Sequence, residues 1–185
     1  RYDSSHIATH SICIILPQTA FMSPRFFQWL RISFFNLLLV TALGVVMRYK
    51  IGFSLPFIDQ KHLLHAHSHF AFSGWITQLL MVLLTAHLSK QSRIDMFPKY
   101  RWLLYANLLT AYGMLVSFFF QGYALFSIMF SMLSIIVSWI FAIVYWKDLT
   151  GFPVKTFAGY CFIVARLFNT LSTLELLPPA VLLPT

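Results

Sequence analysis

The feature that most limits what this chain can fold into is a series of apolar runs, each long enough to cross a bilayer. The run from Ala124 to Trp146, "ALFSIMFSMLSIIVSWIFAIVYW", contains no charged residue at all. A helix needs about 20 such residues to cross the roughly 30 Å hydrocarbon core. Similar runs cover 30–47, 65–88, 102–120 and 156–174, so the sequence predicts five spans. The second is read as starting at Phe70, or at His65 if the histidines before it are helical. Each span must be a helix, because an unpaired backbone group in lipid costs several kcal/mol. The runs are continuous and do not alternate with period two, which excludes a transmembrane β-barrel. The expected fold is therefore all-α, a polytopic transmembrane helical bundle.

Composition supports this. The chain is 59% hydrophobic and only 10% charged, whereas a soluble domain of this length needs about a quarter of its residues charged. A net charge of +8 raises the question of nucleic acid. The basic residues, however, fall in short clusters at the ends of spans and form no stripe on one face, so no nucleic-acid partner is expected. Cys13 and Cys161 stand alone, without CxxC spacing, and indicate neither a disulfide framework nor a zinc site.

The clusters read as topology signals. Arg25, Arg31, Lys90, Arg93, Lys99, Arg101, Lys147 and Lys155 fall on one side of the expected bundle, against Arg48, Lys50 and Lys61 on the other. The positive-inside rule makes the first side cytoplasmic, so the N-terminus is expected inside and the start of the second span outside. Trp29, Tyr100, Trp102 and Trp146 stand at the span boundaries as interfacial anchors. Residues 1–21 read as a tail whose status the sequence leaves open, upstream of Met22, which opens "MSPRFFQWLR" as a natural start would. The transmembrane domain is expected over 22–175. Residues 176–185 form a ragged end containing Pro178 and Pro179, and with an odd number of spans this suggests a truncated or misread chain.

Function rests mainly on "HLLHAHSHFAF", residues 62–72, where four histidines occupy eight positions. On a regular helix His62, His65 and His69 share one face, which continues through Phe72, Ser73 and Ile76. His67 points nearly the opposite way, along a face that continues through Ala71, Gly74 and Gln78. Those slim residues would let a flat, bulky group approach the helix. Ionisable side chains inside a membrane are costly and default to functional roles. Imidazole can stay neutral while offering a lone pair to a metal. Histidines at a helix end can also be merely solvated, but four so close together favour metal or haem. Zinc is disfavoured, since neither cysteine nor HExxH accompanies them. Asn36, Asn107 and Gln78 within spans read as interhelical hydrogen-bonding groups. Arg166 and Asn169 lie in the fifth span, Arg166 reading mainly as misread sequence or a snorkelling residue and less as a contact for a haem propionate or an anion, and His6 and His10 carry little weight in the tail.

The stretch "LLHAHSHFAFSGWITQLLMVLL" resembles the second transmembrane helix of subunit I of the haem-copper oxidase superfamily, which includes the cbb3-type oxidases and nitric-oxide reductases. In that family a histidine at the outer end of this helix ligates the low-spin haem b. "AHS" at Ala66–Ser68 matches one form of the motif and points to His67; "FAFSG" at Phe70–Gly74 matches another and points nearer His65, with His69 the third candidate. The resemblance implies electron transfer to O2 or NO in a bacterial inner membrane. It also implies cytochrome c or quinol as donor, and further helices or other respiratory-complex subunits as partners. It further implies histidines on later helices for a second haem ligand and a copper or non-haem iron site; the last histidine here is His87. The sequence therefore reads as the N-terminal portion of a longer subunit or as a degenerate relative. "HAHSHFAF" is also similar to the "HAHEMLFG" pattern of the NnrS haem- and copper-containing membrane proteins linked to nitric-oxide stress, with Ser68 and His69 replacing Glu and Met. A transporter or structural subunit without haem is the remaining expectation.

Overall fold

The computed structural model describes residues 23–53 and 55–151, all of their regular structure helical. The elements are α1 (Pro24–Gly52), α2 (Gln60–Phe70), a π-helical segment (Ala71–Thr77), α3 (Gln78–Ser92), α4 (Phe97–Gln121) and α5 (Leu125–Thr150). α2, the π segment and α3 run on as one rod, so the molecule has four helices long and apolar enough to cross a membrane. The four spans expected over 30–47, 65–88, 102–120 and 124–146 each fall inside one of them. The expected fifth, 156–174, lies outside the described residues, as do 1–21, Cys161, Arg166 and Asn169.

Local chemistry sets the helix ends. Pro24 and Pro98 sit in the first turns of α1 and α4, where no intrahelical donor is lost. Asp59 caps α2: its Oδ1 accepts from the backbone N–H groups of Lys61 (2.8 Å) and His62 (3.0 Å). These bonds, His62's first, hold its carboxyl below the usual value of 3.8. α4 stops at Gly122, whose φ of 62° only glycine adopts without strain and whose N–H bonds back to Phe118 O. The Ser127 hydroxyl opens α5 by accepting from Ala124 N at 2.8 Å.

The helices alternate in direction. At one end Arg25 of α1 pairs with Asp95 between α3 and α4 at 3.0 Å, and Lys99 of α4 pairs with Asp148 of α5 at 2.6 Å. The α1–α2 and α4–α5 connections share the other end, where His62 lies against Gly122. Near the first end a core forms from Trp29, Leu84, Tyr100, Phe141 and their neighbours. Two expected anchors belong to that core and not to the lipid boundary. Trp29 is buried edge-on against Tyr105, and Tyr100 is buried with its hydroxyl donating to Asp148. Trp102 and Trp146 remain exposed. α5 buries a stripe of Ser127, Ser131, Ser134 and Ser138, small residues of the kind that let membrane helices approach closely. Outward side chains such as Leu38, Val45, Leu109 and Phe120 present the apolar surface a bilayer covers.

Candidate haem or metal site on the second membrane helix

α2 carries all four clustered histidines, and the structure divides them between two faces. His62, His65 and His69 turn toward the end of α4. A Cβ on Gly122 would stand 2.5 Å from His62 Nε2, so the His62 ring would have to turn aside for any side chain there. The His65 ring meets Tyr123 edge-on at 4.5 Å between centroids. His69 is buried and lies flat on Phe118, at 4.3 Å and 14°, with its Nε2 3.4 Å from the Tyr123 hydroxyl. His67 turns toward α1, where a Cβ on Gly44 would sit 3.4 Å from its Cε1. Its Nδ1 is buried without a hydrogen-bond partner. His87, on α3, is near the other end of the rod and belongs to neither group.

The helical wheel drawn through the cluster holds as far as Phe70 and then fails, because the π segment widens the turn. The Ala71 N–H is shared between His67 O and Ser68 O. Beyond it Phe72 and Ile76, expected below His65 and His69, are exposed, and Ser73 is buried with its hydroxyl donating to His69 O at 2.7 Å. The expected His67 face splits as well. Gly74 stays toward α1, its carbonyl accepting from Asn36 Nδ2, whereas Gln78 turns to α4 and accepts from Asn107 Nδ2 at 2.9 Å. Gly74 is slim for a different reason than expected: the Phe70 ring folds over it, and a Cβ there would lie 2.5 Å from that ring.

The π segment is held from both sides. Asn36 of α1 and Asn107 of α4 donate to the successive carbonyls of Gly74 and Ser73, the second at 3.0 Å, and the Tyr112 hydroxyl steadies Asn36 by donating to its Oδ1 at 2.7 Å. A π turn leaves carbonyls poorly served along its own helix and commonly marks a functional position. Sequence reasoning identified Asn36, Asn107 and Gln78 as interhelical groups, as found, but missed Tyr123 and Phe118. Tyr123 lies in a three-residue connection that gave no periodic signal, and Phe118 is one of 20 phenylalanines.

Among the described residues, no three His, Cys, Asp or Glu side chains come together as a metal-binding group. An iron approached from α2 would find its best donor in His67, the histidine with a buried ring nitrogen that no protein group satisfies. His69 is engaged with Phe118 and Tyr123, and His65 with Tyr123. Helices α1, α4 and α5 contain no histidine. Among the described residues a haem approaching this helix would therefore find one imidazole at most, and a second histidine from a facing helix is not among them. A polar recess of about 530 Å³ includes Lys50, Asp59 and His62 in its lining but not His65, His67 or His69. No family model, no curated protein and no solved structure matches the chain.

Proposed function

We propose that this protein is a haem-binding integral membrane protein of the respiratory type, resembling subunit I of the haem-copper oxidases and nitric-oxide reductases. His67 would hold the iron of a b-type haem, with His65 and then His69 ranked behind it. The observation that carries this reading is the buried, unpartnered Nδ1 of His67 beside Gly44. A buried imidazole nitrogen without a partner is unfavourable in the protein alone, and a metal bound to it would supply the missing partner. Haem bound there would supply one-electron transfer. The chain's own part is to fix the imidazole beside Gly44 on a rod clamped by Asn36 and Asn107. The copper or non-haem iron centre of such a subunit needs histidines that this sequence does not carry, so the proposal stops at haem binding and electron transfer. It places the protein in a bacterial inner membrane with Arg25, Lys99 and Lys147 on the cytoplasmic side, and cytochrome c or quinol as donor.

The test is a reduced-minus-oxidised visible spectrum of the full chain in lipid nanodiscs with haem supplied. Sharp b-type bands that His67→Ala abolishes, and that His65→Ala and His69→Ala retain, support the assignment. A well-folded but colourless protein rejects it.

One observation favours a second, haem-free reading. His65, His69 and Tyr123 form a contiguous set running from a half-buried to a buried imidazole, as a proton-handling transporter would use. An NnrS-like stress protein would share the spectrum of the first reading without terminal-oxidase activity.

A further inference from the structure

Two cavities at the α1–α2 end of the bundle, one polar and one apolar, share Phe120 in their walls. We propose that together they bind one membrane phospholipid whose headgroup carries both a phosphate and a primary amine, the phosphate at Lys50 and the amine at Asp59. The inference is independent of haem.

The polar recess of about 530 Å³ is in the size range of small-molecule sites. Lys50, in the last turn of α1, and Asp59, the cap of α2, bring one charge of each sign to its lining, with His62 beside them. Besides the backbone bond from His62, which is the chief cause, the Lys50 charge helps hold the Asp59 carboxyl low. The two charges thus feel each other, yet no ion pair joins them. Lys50 Nζ uses one of its three donors on Leu55 O at 3.2 Å, and both cap bonds of Asp59 fall on Oδ1. A simple anion in the recess would meet Asp59, and a simple cation would meet Lys50. A zwitterion satisfies both: its phosphate accepts from Lys50 and from a His62 ring N–H, and its ammonium donates to the Asp59 carboxylate.

The second cavity makes the ligand a lipid and not a soluble zwitterion. It is a groove of about 650 Å³ between α4 and α5, with Leu109, Val116, Phe120 and Phe126 in its walls. All four are exposed, so the groove opens on the surface a bilayer covers. Its α4 wall runs from Leu109 to Gln121, about 18 Å at 1.5 Å per residue. One leaflet of the hydrocarbon core is about 15 Å deep. An acyl chain hanging from a headgroup in the recess therefore lies along the groove for the depth of its leaflet.

Native mass spectrometry of the delipidated full chain, titrated in detergent with dioleoyl phosphatidylethanolamine or dioleoyl phosphatidylglycerol, tests the proposal. One phosphatidylethanolamine per chain should be retained, favoured about three- to fivefold over phosphatidylglycerol, the scale of one partly exposed ion pair. Asp59→Asn keeps the helix cap but loses the charge, and should bring the two lipids level. Lys50→Gln should weaken both. Val116→Trp, on the lipid-facing wall, should also weaken both by filling the groove, while the preference between them stays. Equal retention of the two lipids by the parent chain overturns the proposal, as does a preference that survives Asp59→Asn. Retention untouched by Lys50→Gln or by Val116→Trp overturns it as well.

Discussion

Gly122 has two reasons to be glycine, and they act together. Its φ of 62° costs a residue with a Cβ about 1–2 kcal/mol, and a Cβ would also press on the His62 ring. Gly122→Ala should therefore lower stability by at least that amount, read as a fall in unfolding midpoint in detergent. In the background His62→Ala the steric part disappears and the penalty should shrink toward the backbone cost alone. Asp59 gives a prediction in pH. Because the folded state holds its carboxyl below 3.8, the cap's contribution is complete above that value and is lost as pH falls through the lower folded value. Asn caps a helix about as well as Asp but does not titrate in this range. Asp59→Asn should therefore match the parent near neutrality and lose less stability on acidification, measured as thermal midpoint against pH.

Among the elements, the π segment decides how the histidine half of the rod faces the rest. Asn36 and Asn107 reach it from opposite helices, so each should carry part of its stability. Hydrogen bonds between membrane helices average about 0.6 kcal/mol and reach about 1.7. Asn36→Leu and Asn107→Leu should each cost an amount in that range. Because both donate to adjacent carbonyls of one turn, the double variant should depart from additivity in a double-mutant cycle. The same element marks where sequence reading ran out. Long apolar runs fixed the four described spans, since length and hydropathy are what a bilayer demands. The histidine faces were legible up to Phe70, because α2 keeps the ordinary period. Past that point the wheel misplaced Phe72, Ile76 and Gln78. A π turn depends on groups from other helices, here Asn36 and Asn107, and no local pattern in "AFSGWIT" announces it. Trp29 and Tyr100 were misplaced for a similar reason: aromatic residues at a span boundary can face lipid or a neighbouring helix, and only packing decides.

For the whole molecule, the ends of the bundle differ in how they are fastened, and this bears on which way it sits in the membrane. The Arg25–Asp95 pair has a well-exposed guanidinium and should contribute less than about 1 kcal/mol. Asp148 is mostly buried and also accepts from the buried Tyr100 hydroxyl at 2.7 Å. Asp148→Ala leaves that hydroxyl unpaired and should cost about 1–3 kcal/mol, clearly more than Arg25→Ala in the same unfolding assay. Both pairs lie at the end rich in Lys and Arg, which the proposed orientation places in the cytoplasm. Phe57, 95% exposed in the α1–α2 connection, and Ile94, 64% exposed between α3 and α4, stand at opposite ends and report on that orientation. With Cys13 and Cys161 replaced by serine, Phe57→Cys should react with an impermeant maleimide added to intact bacterial spheroplasts. Ile94→Cys should react only after the membrane is opened. The reverse pattern would invert the bundle, placing the imidazoles of α2 at the cytoplasmic face and removing one ground for the proposed likeness to an oxidase-type subunit.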